Sequence, residues 1–86
     1  MSYEGWRNYQ TWNVALWLNN EEPWYHAMLF FLEENPAGSF TELIDVLRAE
    51  AIIGEVTPDG VSWTDPTLDL RALNEMLSEH VEEVRR

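Results

Sequence analysis

The chain has 86 residues, no cysteine, and sixteen acidic against five basic residues, for a net charge of −11. That length allows one domain with a modest core, and the missing cysteines exclude disulfides and Cys-based zinc or iron–sulfur sites. The charge argues against direct binding to nucleic acid or to an anionic membrane, both polyanions, and favours a basic partner.

No apolar run reaches the roughly eighteen residues of a membrane span. No basic, apolar start reads as a secretory signal, so the expected location is the cytoplasm. All five bases are Arg. Nine of the eleven aromatics lie between Tyr3 and Phe31. Each aromatic hides roughly 150–250 Å² when buried, so the N-terminal third supplies much of the core. It also carries more aromatic area than a small core hides, and one or two rings are expected at the surface.

Residues 1–7 form an N-terminal arm anchored by Tyr3 and Trp6. Asn8 is a good N-cap for a first helix over about 9–19, with Thr11 as the competing start. Tyr9, Trp12 and Leu16 mark its expected buried face, with Val14 and Ala15 beside them, and Trp17 lies on another azimuth. Asn19-Asn20 ends it. A second helix is expected over 21–34, capped by Asn20, with Pro23 tolerated in its first turn. Trp24, Ala27, Met28, Phe31 and Leu32 recur at helical spacing, with Tyr25 and Phe30 off that face. Glu33 and Glu34 sit at the end of this helix, where the dipole disfavours negative charge.

Asn35-Pro36-Ala37-Gly38 is a turn. Ser39 and Glu42 spell a capping box for a third helix over 40–53, with Phe40, Leu43, Ile44, Leu47 and Ala51 as its apolar stripe and Gly54 as its stop. Pro58-Asp59-Gly60 marks a turn. Residues 55–63 read either as a short hairpin or as an ordered loop whose Trp63 plugs the core. Asp65 as cap and Pro66 at the first position open a fourth helix over 66–84. Leu70, Leu73, Met76, Leu77, Val81 and Val84 form its inner face, and Arg85-Arg86 ends it with the sign the dipole prefers. The expected fold is mainly α, a single small domain, 1–86, of about four helices.

The string Asn8-Tyr9-Gln10-Thr11-Trp12-Asn13-Val14-Ala15-Leu16-Trp17 is similar to a motif of an uncharacterised family of small proteins associated with bacteriophages, plasmids and their hosts. In that pattern an acid usually stands where this chain has Gln10. Residues Thr57 to Trp63, Asp65-Pro66 and Asn74-Glu75-Met76-Leu77 also resemble such chains. The resemblance implies a soluble protein of mobile-element type and implies no reaction.

Catalytic patterns are absent. His26 and His80 are far apart in sequence, no His-Glu-x-x-His string occurs, and Gly38-Ser39 is explained by the capping box. Asp59-Gly60 lacks the further ligands of a calcium loop. No cofactor or metal is expected. The acids remain. Glu75, Glu79 and Glu82 recur at i, i+4 and i+7, with Glu83 beside them and Asp69 earlier on the same helix. Neighbours at that spacing stand roughly 5–6 Å apart, close to the spacing of backbone phosphates. Glu33, Glu34, Glu42, Asp45 and Glu50 extend the patch if the second and third helices lie beside the fourth. The expected function is a non-catalytic binding protein for a basic protein surface, most sharply a nucleic-acid mimic that inhibits a DNA-binding or defence protein in the host cytoplasm. The alternative is a homodimeric assembly module using surplus aromatics such as Trp17, Tyr25 or Phe30, and Trp17 is the contact residue expected on the first helix.

Overall fold

Asn8 starts the first helix as expected. The computed structural model describes residues 3–84, and in it the Asn8 side-chain oxygen accepts from the Thr11 N–H at 2.9 Å. Helix α1 runs Tyr9–Asn20, α2 Glu22–Glu34, α3 Phe40–Ala49 and α4 Leu70–Val84. Among the described residues no strand forms, and the fold is mainly α. The radius of gyration is 12.1 Å, against about 12 Å for a compact chain of this length. The helix-ending role expected of Arg85 and Arg86 lies outside the described residues.

The buried face of α1 differs from the expected one. Thr11, Val14, Ala15 and Leu18, at i, i+3, i+4 and i+7, turn inward together with Asn13. Tyr9 is exposed, and Trp12 and Leu16 are only half-buried. Ring size is a poor guide here because loops cover α1, and they need the polar groups of Thr11 and Asn13 to satisfy their own. Trp12 packs instead on Tyr3 and Tyr9, at centroid distances of 4.8 and 5.6 Å. This surface cluster anchors the N-terminal arm. Tyr3 and Trp6 exchange backbone hydrogen bonds around Glu4 and Gly5, both at positive φ, the two-residue turn that fits a tight antiparallel pair.

Glu21 ends α1 and begins α2, so the two helices meet at one extended residue. The expected Asn20 cap does not form. Its amide donates back to the Leu16 carbonyl at 2.8 Å, and α2 starts without a side-chain cap. The core joins Met28, Phe31 and Leu32 of α2 to Phe40, Leu43, Ile44 and Leu47 of α3 and to Leu73, Met76 and Leu77 of α4. The Ser39–Glu42 capping box is present in both directions. Just before it, a Cβ at Gly38 would stand 2.6 Å from the Phe31 ring, so any other residue there has to displace that ring.

Helix α3 ends at Ala49 rather than 53. Ala51 takes the left-handed conformation (φ 57°), the Ile52 N–H reaches the Leu47 carbonyl at 2.8 Å, and the Ala51 N–H reaches that of Arg48 at 3.0 Å. This is the Schellman closure that glycine usually makes. Ala51 is therefore exposed and not part of the apolar stripe, and Gly54 is not the stop.

Helix α4 begins at Leu70 rather than 66. Asp65 folds its carboxylate onto the Thr67 N–H at 2.7 Å, a local turn that competes with helix. The N-cap of α1 and a residue of its first turn then hold the segment. The Asn8 amide donates to the Thr67 carbonyl at 2.8 Å, and the Asp69 N–H donates to the Thr11 hydroxyl at 2.9 Å. Asp69 is the true cap, accepting from the Ala72 N–H at 3.1 Å. Leu70, expected on the inner face, is exposed. Between α3 and α4, Val56 and Ser62 form a single bridge, so residues 55–63 are an ordered loop rather than a hairpin. Trp63 plugs the core at 1% exposure.

Candidate functional site

Two of the strings that carry the sequence resemblance, Asn8–Trp17 and Thr57–Trp63, touch each other. The Asn13 amide donates to the Asp59 carboxylate at 2.8 Å, and the Thr57 hydroxyl donates to the Asn13 carbonyl oxygen at 2.7 Å. The Trp17 indole N–H donates to the same Asp59 oxygen at 2.9 Å. The Thr57 hydroxyl oxygen also accepts from the Asp59 and Val61 N–H groups. These bonds hold the Asp59 carboxyl below the usual carboxylate range, the Asn13 donor contributing most and Trp17 next. Asp65 is likewise lowered by Thr67, first through its hydroxyl and then through its backbone N–H. The motif on α1 is thus a polar clasp on the Thr57–Gly60 turn. Sequence reasoning missed it, although a lone Asn inside an apolar helical run was a signal, because a buried amide needs partners.

The clasp changes the reading of Trp17. Its N–H is bonded to Asp59, and its ring lies 6.2 Å from that of Trp24. Trp24 in turn meets Trp63 edge-on at 5.6 Å. Trp17 is therefore the outer member of an internal tryptophan ladder. Of the other aromatics named for a homodimer, Tyr25 is half-buried, its ring 5.7 Å from that of His80. Phe30 is 66% exposed.

Every carboxylate within α2, α3 and α4 is exposed. The expected row Glu75, Glu79, Glu82 and Glu83 lies along the outside of α4. Asp69 drops out of it, being half-buried and committed to the cap. Glu33 and Glu34 lie at the far end of α2 from Tyr25. Tyr25 sits against His80, and the Phe40 N–H at the start of α3 donates to Asn74 at 2.7 Å, so α2 and α4 run antiparallel. Glu33 lies eight residues beyond Tyr25, about 12 Å along the helix axis, toward the N-terminal end of α4, where Glu75 stands and Glu82 and Glu83 do not. Bases do little to neutralise the acids. Among the described residues Arg48 pairs with Glu55 at 2.7 Å and Arg71 with Glu75 at 3.6 Å, the second pair almost fully solvated.

His80 is a packed histidine, its side chain mostly buried. Its Nε2 is 2.8 Å from the Asn19 side-chain oxygen, and Glu83 lies 3.6 Å from Nδ1. Among the described residues no group of three or more His, Asp and Glu side chains is placed to hold a metal ion. No described helix is long and apolar enough to cross a membrane.

Residues 1–84 match a family described as a family of unknown function (DUF7249). The chain belongs to that family. No curated protein and no solved structure matches the chain. The DUF7249 match spans both halves of the clasp and all the acidic helix faces.

Proposed function

We propose that this DUF7249 chain is a small, non-catalytic binding protein that engages a basic protein surface. Its sharpest form is a nucleic-acid mimic of phage or plasmid origin, acting in the host cytoplasm on a DNA-binding or defence protein. The supporting observation is the exposure of the carboxylates on α2, α3 and α4, met by few basic groups. On α4 the repeat at 75, 79 and 82 puts negative charge on one face at spacings of roughly 5–6 Å. Such a field raises the on-rate for a positively charged partner and weakens with salt.

The test is capture of basic proteins from a bacterial lysate at low and high salt, comparing the native chain with E75Q/E79Q/E82Q. All these positions are exposed, so circular dichroism should show an unchanged fold. Recovery of a basic DNA-binding protein by the native chain, lost in the variant and at high salt, is the expected result. Equal recovery by both proteins would remove α4 as the mimic face.

A further inference from the structure

A groove of about 350 Å³ opens between α2 and α3. Phe30 and Val46, one from each helix, line it and remain 66% and 37% exposed. Leu47 and Ile52 also line it. The left-handed turn at Ala51 sets these two residues together, since the Ile52 N–H bonds the Leu47 carbonyl. Each wall also contributes a carboxylate, Glu34 from α2 and Glu50 from the end of α3, and no lining residue is basic.

The position of these acids sharpens the field. Glu34 occupies the last turn of α2, which has no basic residue, and Glu50 is the C-cap of α3. Both helix ends already carry partial negative charge, so the apolar floor is bordered by carboxylate and dipole of the same sign. A second copy of the chain is a poor occupant, because each copy brings a net charge of −11 and like charges across an interface are repulsive. A neutral apolar segment leaves the helix-end charges without partners. A segment that presents one large apolar side chain between Lys or Arg residues meets both demands.

The geometry points to this groove as the docking site for a basic amphipathic segment of a partner protein. Its apolar side chain seats against Phe30 and Val46, and its cations reach Glu34 and Glu50. The inference rests on the basic-partner reading but assigns the contact to a face other than α4, and it adds an apolar requirement that mimicry of phosphates lacks.

Fluorescence anisotropy at low salt, with labelled synthetic peptides on the full chain, tests it. One peptide alternates Lys and Leu at amphipathic helical spacing, and the other replaces every Leu by Ser at equal charge. The Lys/Leu peptide should bind about tenfold or more tighter, and Phe30→Ser should erase that advantage, as expected for an apolar anchor. E34Q/E50Q should weaken binding of the Lys/Leu peptide, and E75Q/E79Q/E82Q should weaken it less and leave its advantage over the Lys/Ser peptide intact. Equal binding of the two peptides, untouched by Phe30→Ser, overturns the groove and leaves a purely electrostatic basic partner standing. Failure of both peptides to bind overturns both readings. A dimer in sedimentation that Phe30→Ser dissociates overturns the proposed occupant in favour of a second copy. The peptide comparison on the native chain decides the matter even if a variant misfolds.

Discussion

Trp12 and Trp63 show how far residue type and environment part company. Trp63 is 1% exposed within the core, whereas Trp12 is half-buried in a surface cluster with Tyr3 and Tyr9. Trp63→Ala is expected to cost about 3–5 kcal/mol, the range for a large core aromatic. Trp12→Ala is expected to cost only about 1–2 kcal/mol, since aromatic pairing beyond area is worth about 0.5–1.5 kcal/mol. Denaturant melts of the two variants check the order, and a reversed order would relocate the core. Asp59 carries a second expectation at this scale. Its folded carboxyl titrates below the usual range because Asn13 and Trp17 donate to its charged form. The bonds therefore contribute fully above the unfolded carboxylate pKa of about 3.9 and are lost as pH falls through the lower folded value. Emission from Trp17 should change in that acid window, and the change should vanish in Asp59→Asn. An identical acid profile in the two proteins would disconnect the clasp from acid stability.

Among the elements, the legible ones are those whose signals are local. The α3 start follows from Ser39 and Glu42 three residues apart, and its stripe at 40, 43, 44 and 47 is buried as its spacing predicts. The start of α4 was not legible, because the residues that hold the preceding segment, Asn8 and Thr11, are 59 and 58 positions from their partners. No window around Pro66 contains that information. The same holds for the clasp, whose Asn13–Asp59 bond spans 46 positions, and for the groove, which needs α2 and α3 side by side. Exposure of the acids was legible because carboxylates are almost never buried without a partner. The end of α3 yields a direct test. Ala51 holds a left-handed conformation that costs a non-glycine residue about 1–2 kcal/mol. Ala51→Gly is expected to stabilise the chain by about 0.5–1 kcal/mol, part of the relief being offset by the greater freedom of glycine when unfolded. A lower melting midpoint would mean that the Ala51 methyl group makes contacts worth more than the strain.

At the scale of the whole molecule the charge acts on folding and on binding with opposite signs. The principal extents are 34, 26 and 20 Å. The Debye length is about 30 Å at 0.01 M salt and about 8 Å at 0.15 M. At the lower salt nearly every carboxylate therefore repels every other, and at the higher only neighbours interact. Self-repulsion of a highly charged chain opposes compactness, and the Arg48–Glu55 and Arg71–Glu75 pairs offset only a small part of the net charge of −11. Added salt should raise the melting temperature, by about 4–8 °C for each 1 kcal/mol of repulsion removed in a domain this small. The same salt should weaken any basic partner, because the attraction is screened as the repulsion is. Thermal melts at the two salt concentrations measure the first effect, and anisotropy with the Lys/Leu peptide measures the second. A melting temperature that falls with salt would show that local ion pairs outweigh the net field. Tight peptide binding that ignores salt would place the affinity in the apolar groove floor alone, with the acids as mere solvation.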